Sequence, residues 1–469
     1  MYVCYQQSRK YKKYTEIMTT GENLNDNLET FLRHIDTIRD TLPMTILLIR
    51  PYNKKANDDF MKFLKENVIE IEDDNGEKRI FVKYEESANF EILERDASTS
   101  ALASKVISES LFVSLISQYD AYLSRLLRAI FEIKPDFLND SEKNLTFSQL
   151  VKMETIENAR EFIIDKEIET VLRKSHSEQF EYLEKLFGIT LREKLPIWQT
   201  FIEITERRNL LVHCDGFVSN QYLKICNEHK CKIDNVKVGD RLGAEHKYFL
   251  NAYKCLYEIA TKLTHTIWRK YLTSDLEDAD RKLNNVCFHL INTKSLELAD
   301  ILLEFGCAQK KHFNESSKNL FTINGSLSKY LQEKKEEAKQ ILDKKDWSAS
   351  SDSFKLAYAI LTDDFKNAYK IMVNIGDKGE VDQSDYKQWP LFSIIHREDE
   401  FKETYQTIFK EEYSVMETPM RPLQELINKE IKRDKVLKEK TVKKVESAKE
   451  MKEKESTTHI KGFAKKGKK

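Results

Sequence analysis

Apolar residues recur at helical spacing through the middle of the chain, which predicts a bundle of α-helices between residues 96 and 273. The first helix is expected from Ser98 to about Pro135, and the last over Glu245–Tyr271. Between them the pattern predicts helices at Phe147–Lys152, Ile156–Arg173, Ser177–Phe187, Leu195–His213 and Ser219–Glu228. The residues expected to face the core are Val106, Leu111, Leu115, Tyr119, Tyr122 and Leu126 in the first helix, and Phe249, Tyr253, Leu256, Ala260, Leu263 and Ile267 in the last.

Residues 1–95 carry a mixed pattern, which predicts a small α+β region. A helix is expected around Leu24–Thr41. Val68–Ile71 and Arg79–Tyr84 alternate apolar and polar residues on either side of Asp73–Gly76, a pattern typical of a β-hairpin. Since no residues there have a recognisable catalytic spacing, the region is expected to act as a cap or a sensor.

Four segments between residues 274 and 412 share one layout, a small residue surrounded by apolar residues at helical spacing. The small residues Ala299, Ala338, Ala368 and Thr404 are 39, 30 and 36 positions apart, close to the ~34-residue period of tetratricopeptide repeats. Stacked helix pairs of this kind form a curved binding surface. We therefore predict tetratricopeptide-like repeats that respond to a phage or host protein, or to a second copy of the chain. An irregular helical domain is the alternative.

The composition narrows the class of protein. Only 12 Gly and 7 Pro occur among 469 residues, which argues against sandwiches, barrels and glycine-rich nucleotide loops. Lys plus Arg number 77 against 78 Asp plus Glu, so no overall attraction to nucleic acid is expected. The end of the chain differs, because residues 421–469 hold 17 Lys and Arg against 8 Asp and Glu. We expect residues 413–469 to be a basic, partly disordered tail, which either holds RNA phosphates or only solubilises the chain.

The expected location is the cytoplasm. The first twenty residues are polar and basic, and the longest apolar stretch, Met44–Ile49, is too short to span a bilayer. Seven cysteines, an odd and scattered set, fit a reducing compartment. No contact with a membrane is therefore expected.

The most informative chemistry lies at the end of one of the middle helices of the bundle. There Arg208 and Asn209 precede His213 by a short gap, and Glu206 and Arg207 stand immediately before them. A permanent cation can stabilise the charge of a phosphorane-like transition state, and histidine transfers protons near neutral pH. This combination indicates chemistry on a phosphate.

Two other patterns compete with this motif. Arg241 and His246 have the same spacing as Arg208 and His213, but they lie in a glycine-containing loop that leads into a helix. Cys226, His229 and Cys231 suggest a metal site, with His213 or Cys214 as further ligands, although their spacing is irregular and the fourth ligand is unassigned. We therefore favour the Arg208 motif and expect neither a metal nor a cofactor.

The segment Arg208-Asn209-x-x-x-His213 resembles the motif of HEPN superfamily ribonucleases, which is an Arg, a polar residue (often Asn), a few variable residues and a His. The resemblance covers roughly residues 96–273 and includes the segment Ser117–Leu123 with the basic stretch after it. It implies an α-helical bundle, usually dimeric, that acts in antiviral defence or as a toxin. The implied reaction is metal-independent RNA cleavage, in which the ribose 2′-hydroxyl attacks the adjacent phosphate and leaves a 2′,3′-cyclic phosphate and a 5′-hydroxyl.

The helix geometry adds a condition to this interpretation. At about 100° per residue, Arg208 and His213 point about 140° apart on a regular helix. Either the helix loosens near its end or a second protomer completes the site, and we expect a homodimer. In this hypothesis His213 transfers protons, Arg208 stabilises the phosphorane charge, and Asn209 orients the histidine or the phosphate. Glu206 would raise the pKa of His213, and Arg207 would bind a flanking phosphate.

The sequence therefore predicts a mainly α protein. A HEPN-like helical bundle is flanked by the small N-terminal α+β segment and by a C-terminal helical-repeat domain. The predicted function is a metal-independent endonuclease that cuts tRNA or another cellular RNA and is regulated through its repeats. The alternative is a non-catalytic helical scaffold that binds a protein partner.

Overall fold

The computed structural model describes residues 20–72, 78–139, 145–193 and 195–414. These residues are mainly helical, which confirms the predicted class. The predicted basic tail lies outside them from residue 415 onward. The elements are α1 (Thr20–Asn67), β1 (Val68–Glu72), β2 (Lys78–Val82), α2 (Ser87–Ile133), α3 (Phe147–Lys152), α4 (Ile156–Leu172), α5 (His176–Phe187), α6 (Trp198–His213), α7 (Asn220–Glu228), α8 (His246–Tyr271), α9 (Leu276–Asn292), α10 (Leu296–Cys307), α11 (Glu315–Leu331), α12 (Lys335–Leu342), α13 (Asp352–Leu361), α14 (Phe365–Ile375), α15 (Gln383–Gln388) and α16 (Asp399–Phe409).

The N-terminal region differs from the prediction in its extent. The hairpin is confirmed, because β1 and β2 pair antiparallel with Val68 opposite Val82; its turn lies outside the described residues. The helix expected to end near Thr41 instead continues through Pro43 and Pro51, although proline in a helix interior usually breaks it. α2 begins at residue 87 and runs through the boundary predicted at residue 95, so that boundary falls inside a helix.

The described residues divide into two compact units whose limits differ from the predicted domains. The larger unit contains residues 20–38 and 108–414, and the smaller one contains residues 39–72 and 78–107. The boundary predicted near residue 273 does not separate two units, because α8 packs directly against α9 and α10. The predicted bundle and the predicted repeat region therefore share one core.

Two long helices supply much of the core of the larger unit. Every residue that was predicted to face inward on α8 is buried, as are Leu115, Tyr119, Tyr122 and Leu126 on α2. The Tyr122 hydroxyl donates to the carbonyl of Ala260 on α8 at 3.0 Å, which ties the two helices together. Val106 was expected to be buried but is 54% exposed, because it belongs to the smaller unit.

Helices α9 to α14 form three consecutive pairs joined by short loops, and α15 and α16 follow them. The small residues Ala299, Ala338 and Ala368 lie in the second helix of their pairs and are completely buried. Thr404, in α16, is half-buried. Small side chains at these contacts let neighbouring helices approach closely, which explains the recurring layout. A tetratricopeptide relationship stays a prediction.

A buried ion pair joins α8 to the first helix pair. Arg269 on α8 donates to Asp280 on α9 at 2.6 Å, and Asp280 also binds Nδ1 of His312 at 3.0 Å and the backbone N–H of Phe313 at 2.8 Å. Burial alone would raise the pKa of Asp280, but these bonds hold it below its usual range. This buried ion pair is a further reason why the predicted bundle and the predicted repeat region belong to one compact unit.

His265, on α8, is expected to make stability depend on pH. Its ring is buried against Trp268, neither ring nitrogen has a hydrogen-bond partner within the described part of the chain, and burial lowers its pKa to about 3. The folded state therefore keeps the ring neutral, whereas the unfolded chain takes up a proton below about pH 6.5. Above that pH His265 is neutral in both states, so its burial costs no free energy of protonation and the stability of the fold is at its full value. It falls by about 1.4 kcal/mol per pH unit as the pH drops toward 3.

Urea unfolding at pH 7.5 and 5.5 measures this dependence. His265→Phe removes the titrating group and keeps a ring against Trp268, so the free energy of unfolding of this variant should change less between the two pH values, by about 1 kcal/mol. An equal change in the variant and the parent protein would contradict the assignment to His265.

The segment Tyr84–Ile133 is long and apolar enough to cross a membrane by length and hydropathy alone. Buried helices of soluble proteins have the same two properties. Its second half contributes Phe112, Leu123, Leu127 and Phe131 to the core of the larger unit, although only 22% of the apolar window of the segment is buried.

Candidate functional site

Helix α6 carries the predicted motif and ends at the predicted residue. Phe201, Ile204 and Leu210 are buried and hold the helix in the bundle. The helix is regular up to His213, and the chain then turns through Asp215 and Gly216, which both have positive φ. A side chain at Gly216 would place its Cβ 2.6 Å from the carbonyl oxygen of Leu242, so only glycine fits. The expected loosening before the helix end is therefore absent.

Arg208 is held by neighbouring side chains. Its NH2 donates to Oδ2 of Asp120 on α2 at 2.5 Å, and its NH1 donates to Oδ1 of Asn209 at 3.1 Å. Its Nε is buried and has no hydrogen-bond partner in the described part of the chain. The side chain is 22% exposed, so it is partly accessible to solvent, while Asp120 fixes the direction of the guanidinium.

A second histidine, His176, binds the same carboxylate. It is the first residue of α5, and its Nε2 lies 3.0 Å from Oδ1 of Asp120. The start of α5 is fixed by a capping box between Ser175 and Glu178, and the ring packs against Phe201. Asp120 thus bridges a histidine and an arginine. We use the term arginine cluster for Asp120, His176, Glu206, Arg208 and Asn209.

Glu206 contributes a buried carboxyl group to this cluster. Burial raises its pKa, and the nearby His176, Asn209 and Arg208 partly oppose that rise. The carboxylate accepts a long hydrogen bond from Nδ2 of Asn209, at 3.5 Å. Glu206 and His213 are seven residues apart, about 10 Å along the helix axis, and no hydrogen bond or ion pair between their side chains occurs within the described residues.

His213 lies apart from the arginine cluster. It is exposed in the last turn of α6, and no hydrogen bond or ion pair with its ring occurs within the described residues. Arg208 is five residues earlier, about 7.5 Å along the axis and about 140° around it. A single copy of the chain therefore does not bring the predicted catalytic pair together. Asn209 contacts Arg208 and Glu206, so it orients the arginine and not the histidine.

Arg207 points into a different part of the bundle from Arg208. It forms an ion pair with Glu203 at 2.7 Å, donates to the carbonyl of Gly243 and lies 4.1 Å from the centre of the Tyr248 ring. The hydroxyls of Tyr248 and Tyr222 both donate to Glu203 at 2.7 Å. Only 15% of the Arg207 side chain is exposed. The predicted role at a flanking phosphate therefore does not match its position, and Arg207 stabilises the fold.

Most residues of the two competing patterns contribute to the fold. Arg241 pairs with Glu109 at 2.9 Å, while His246 is exposed at the start of α8. Cys226 and Cys231 are buried free thiols that share a hydrogen bond, and His229 packs against a tryptophan ring. Within the described residues no three His, Cys, Asp or Glu side chains come close enough to hold a metal ion.

Sequence reasoning missed Asp120 and His176. Asp120 lies in a segment that carries part of the HEPN resemblance, but nothing in the spacing links it to Arg208, which is 88 residues away. His176 follows a serine that caps a helix, and that pattern indicates only a helix start. Their proximity to Arg208 depends on how α2, α5 and α6 pack.

The exposed edge of the cluster offers a fixed cation and, on the same helix, an accessible imidazole. Such a pair can bind an anion and exchange protons, provided that the two groups reach one substrate. Comparison of the chain with protein-family models, with curated proteins and with solved structures found no match. The geometry of this site is therefore the main indication of the function.

Proposed function

We propose that this protein is a metal-independent RNA endonuclease in which Arg208 and His213 act on the scissile phosphate. One observation carries the proposal. Arg208 is partly exposed and fixed in direction by Asp120 and Asn209, and its helix ends at an exposed histidine that has no structural partner within the described residues. The partial exposure leaves Arg208 accessible to a substrate, and within the described residues no hydrogen bond or ion pair gives His213 a structural role.

The proposed reaction follows from these two groups. The imidazole of His213 accepts the proton of a ribose 2′-hydroxyl, and the freed oxygen attacks the adjacent phosphorus. Arg208 stabilises the negative charge of the phosphorane. The bond to the 5′-oxygen then breaks, that oxygen takes a proton, and the products are a 2′,3′-cyclic phosphate and a 5′-hydroxyl.

The proposed active form is a homodimer. Since α6 remains regular to its end, Arg208 and His213 of one copy point in different directions. Two copies that face each other through their α6 ends would bring Arg208 of one next to His213 of the other. In keeping with the HEPN resemblance, we propose a role in antiviral defence or as a toxin, with cellular RNA as substrate and a phage or host protein as the trigger at the helix pairs.

A non-catalytic scaffold is the second candidate, and the ion pairs of α6 favour it. Arg208 is already neutralised by Asp120, and Arg207 by Glu203. Both pairs stabilise helix packing without any reaction. In this alternative the helix pairs after α8 would bind a protein, and the exposed His213 would have no function.

Cleavage of total tRNA in the presence of EDTA distinguishes the two candidates. We expect the parent protein to leave cyclic-phosphate ends, and His213→Ala and Arg208→Ala each to lower the rate by a factor of about 100 or more. His246→Ala is the matched control, because His246 is also exposed and follows an arginine by the same gap. It should retain the parent rate.

The folded state of each variant is compared by circular dichroism and thermal unfolding. His213→Ala removes an exposed side chain without a partner, so its stability should match that of the parent protein. Full cleavage by both motif variants, or no cleavage by the parent protein with any RNA tested, would favour the scaffold.

A further inference from the structure

A cavity of about 370 Å³ lies among α10, α11 and the end of α12. It is distant in sequence from the arginine cluster, and all its lining residues belong to the helix pairs. Its volume is at the lower end of the range for small-molecule sites, roughly 300–1,000 Å³. The residues that matter for its chemistry are Asp300, Leu303, Glu304, Lys318, Gly325 and Lys344.

Asp300 gives one end of the cavity an unused acceptor. Its Oδ2 binds Lys329 at 3.0 Å and Gln332 at 2.8 Å, whereas its Oδ1 has no hydrogen-bond partner within the described residues. The residue is only 8% exposed, and a buried carboxylate oxygen without a donor is costly. Glu304, which is exposed, lies one turn later on the same face of α10 and adds a second carboxylate. This end therefore favours a group with two N–H donors.

Two lysines give the cavity a cationic side. Lys318 and Lys344 line it and form no ion pair within the described part of the chain, whereas the neighbouring Lys345 is neutralised by Glu315 at 2.5 Å. Burial raises the pKa of the Cys307 thiol, and both lysines oppose that rise. Both lysines are exposed to solvent where they line the cavity, and their ammonium groups suit an anion such as a phosphate.

Part of the lining of the cavity is apolar. Leu303 and Ile341 line it, and Gly325 leaves room, because a Cβ at that position would meet only the Cβ of Leu303, at 4.0 Å. A flat ring system can lie on such a surface. The volume exceeds what a single amino acid or a phosphate ion fills.

We propose that this cavity binds a guanine mononucleotide. The N1–H and 2-amino groups of guanine donate to Asp300 and Glu304, the ring lies on Leu303, and the phosphate binds Lys318 and Lys344. Adenine presents one donor and one acceptor on the corresponding edge, so it satisfies two carboxylates less well. The site would make the helix pairs respond to a small molecule, and its existence does not depend on RNA cleavage.

Isothermal titration calorimetry of the full chain with GMP tests the proposal, with IMP, AMP, guanosine and inorganic phosphate as matched ligands. IMP lacks only the 2-amino group, and guanosine lacks only the phosphate. We expect GMP to bind at least about tenfold more tightly than each of the other four, because each lost hydrogen bond to a charged group costs about a factor of ten.

Variants of the chain locate the site. Lys318→Gln with Lys344→Gln should weaken GMP binding by a factor of about ten or more and leave guanosine binding unchanged. Gly325→Leu fills the cavity and should abolish binding of GMP. Lys282→Gln is the control, because Lys282 is a partly exposed lysine of α9 that does not line the cavity.

Absence of GMP binding at millimolar concentration would overturn the proposal. Equal affinity for GMP and IMP, or for GMP and inorganic phosphate, would also overturn it, because the carboxylate pair or the apolar lining would then contribute nothing. Binding that survives both the lysine variant and Gly325→Leu would place any nucleotide site elsewhere on the chain.

Discussion

Mixed dimers of the Arg208→Ala and His213→Ala variants are expected to recover RNA cleavage that neither variant has alone. If Arg208 of one copy works with His213 of the other, a mixed dimer contains one intact site and one that lacks both groups. Random association makes half of the dimers mixed, so the mixture should reach about a quarter of the parent rate. Each variant alone should be slower than the parent by a factor of about 100 or more.

Coexpression of the two variants with different affinity tags, followed by tandem purification, gives the mixed dimer directly. Its rate should be about half that of the parent dimer. A mixture of His213→Ala and His246→Ala controls for dilution of active protein by an inactive variant. In this mixture every active site uses His213 of the His246→Ala variant, so no activity is gained by complementation. Light scattering should give twice the 55.3 kDa of one chain. A monomer that cleaves RNA, or an inactive mixed dimer with active parent dimers, would contradict the shared site.

Glu203→Ala is expected to destabilise the fold by about 3–5 kcal/mol, because it leaves Arg207 buried without its counter-ion. The same carboxylate accepts the hydroxyls of Tyr222 and Tyr248, and burial together with Glu203 raises the pKa of Tyr248 well above its usual range. Both hydroxyls would therefore lose their acceptor. Urea unfolding at pH 7 measures the loss, and RNA cleavage by the remaining folded protein should fall only with the folded fraction.

The double variant Glu203→Leu, Arg207→Met tests the cause of that loss. Removing both charges together leaves no buried unpaired ion, so the double variant should be more stable than Glu203→Ala, despite having one more substitution. Glu169→Ala is the surface control. Its ion pair with Arg173 is exposed, so its loss should change the free energy of unfolding far less than Glu203→Ala does. A double variant as unstable as the single one would show that the hydroxyls, and not the charge, dominate.

The sequence by itself determined most of the helices of the larger unit. Periodicity placed α3 to α8 within three residues of their observed ends, because one buried face per helix imposes a 3.6-residue pattern that is local in the chain. The alternation of apolar and polar residues in Val68–Ile71 was enough to predict the hairpin. The small residues Ala299, Ala338 and Ala368 likewise marked the second helices of the pairs, since a buried alanine at a close contact recurs wherever that contact does.

Only the tertiary structure decided which of the polar residues meet. Asp120 and Arg208 are brought together by the packing of α2 on α6, and the capped start of α5 adds His176. The sequence does not indicate that Arg207 turns inward to Glu203 while Arg208 remains partly exposed. The two arginines are adjacent, so periodicity places them only about 100° apart around the helix. The limits of the compact units depend on tertiary packing for the same reason. The contacts that join α8 to Asp280 on α9 are properties of packed surfaces, whereas periodicity reports one helix at a time.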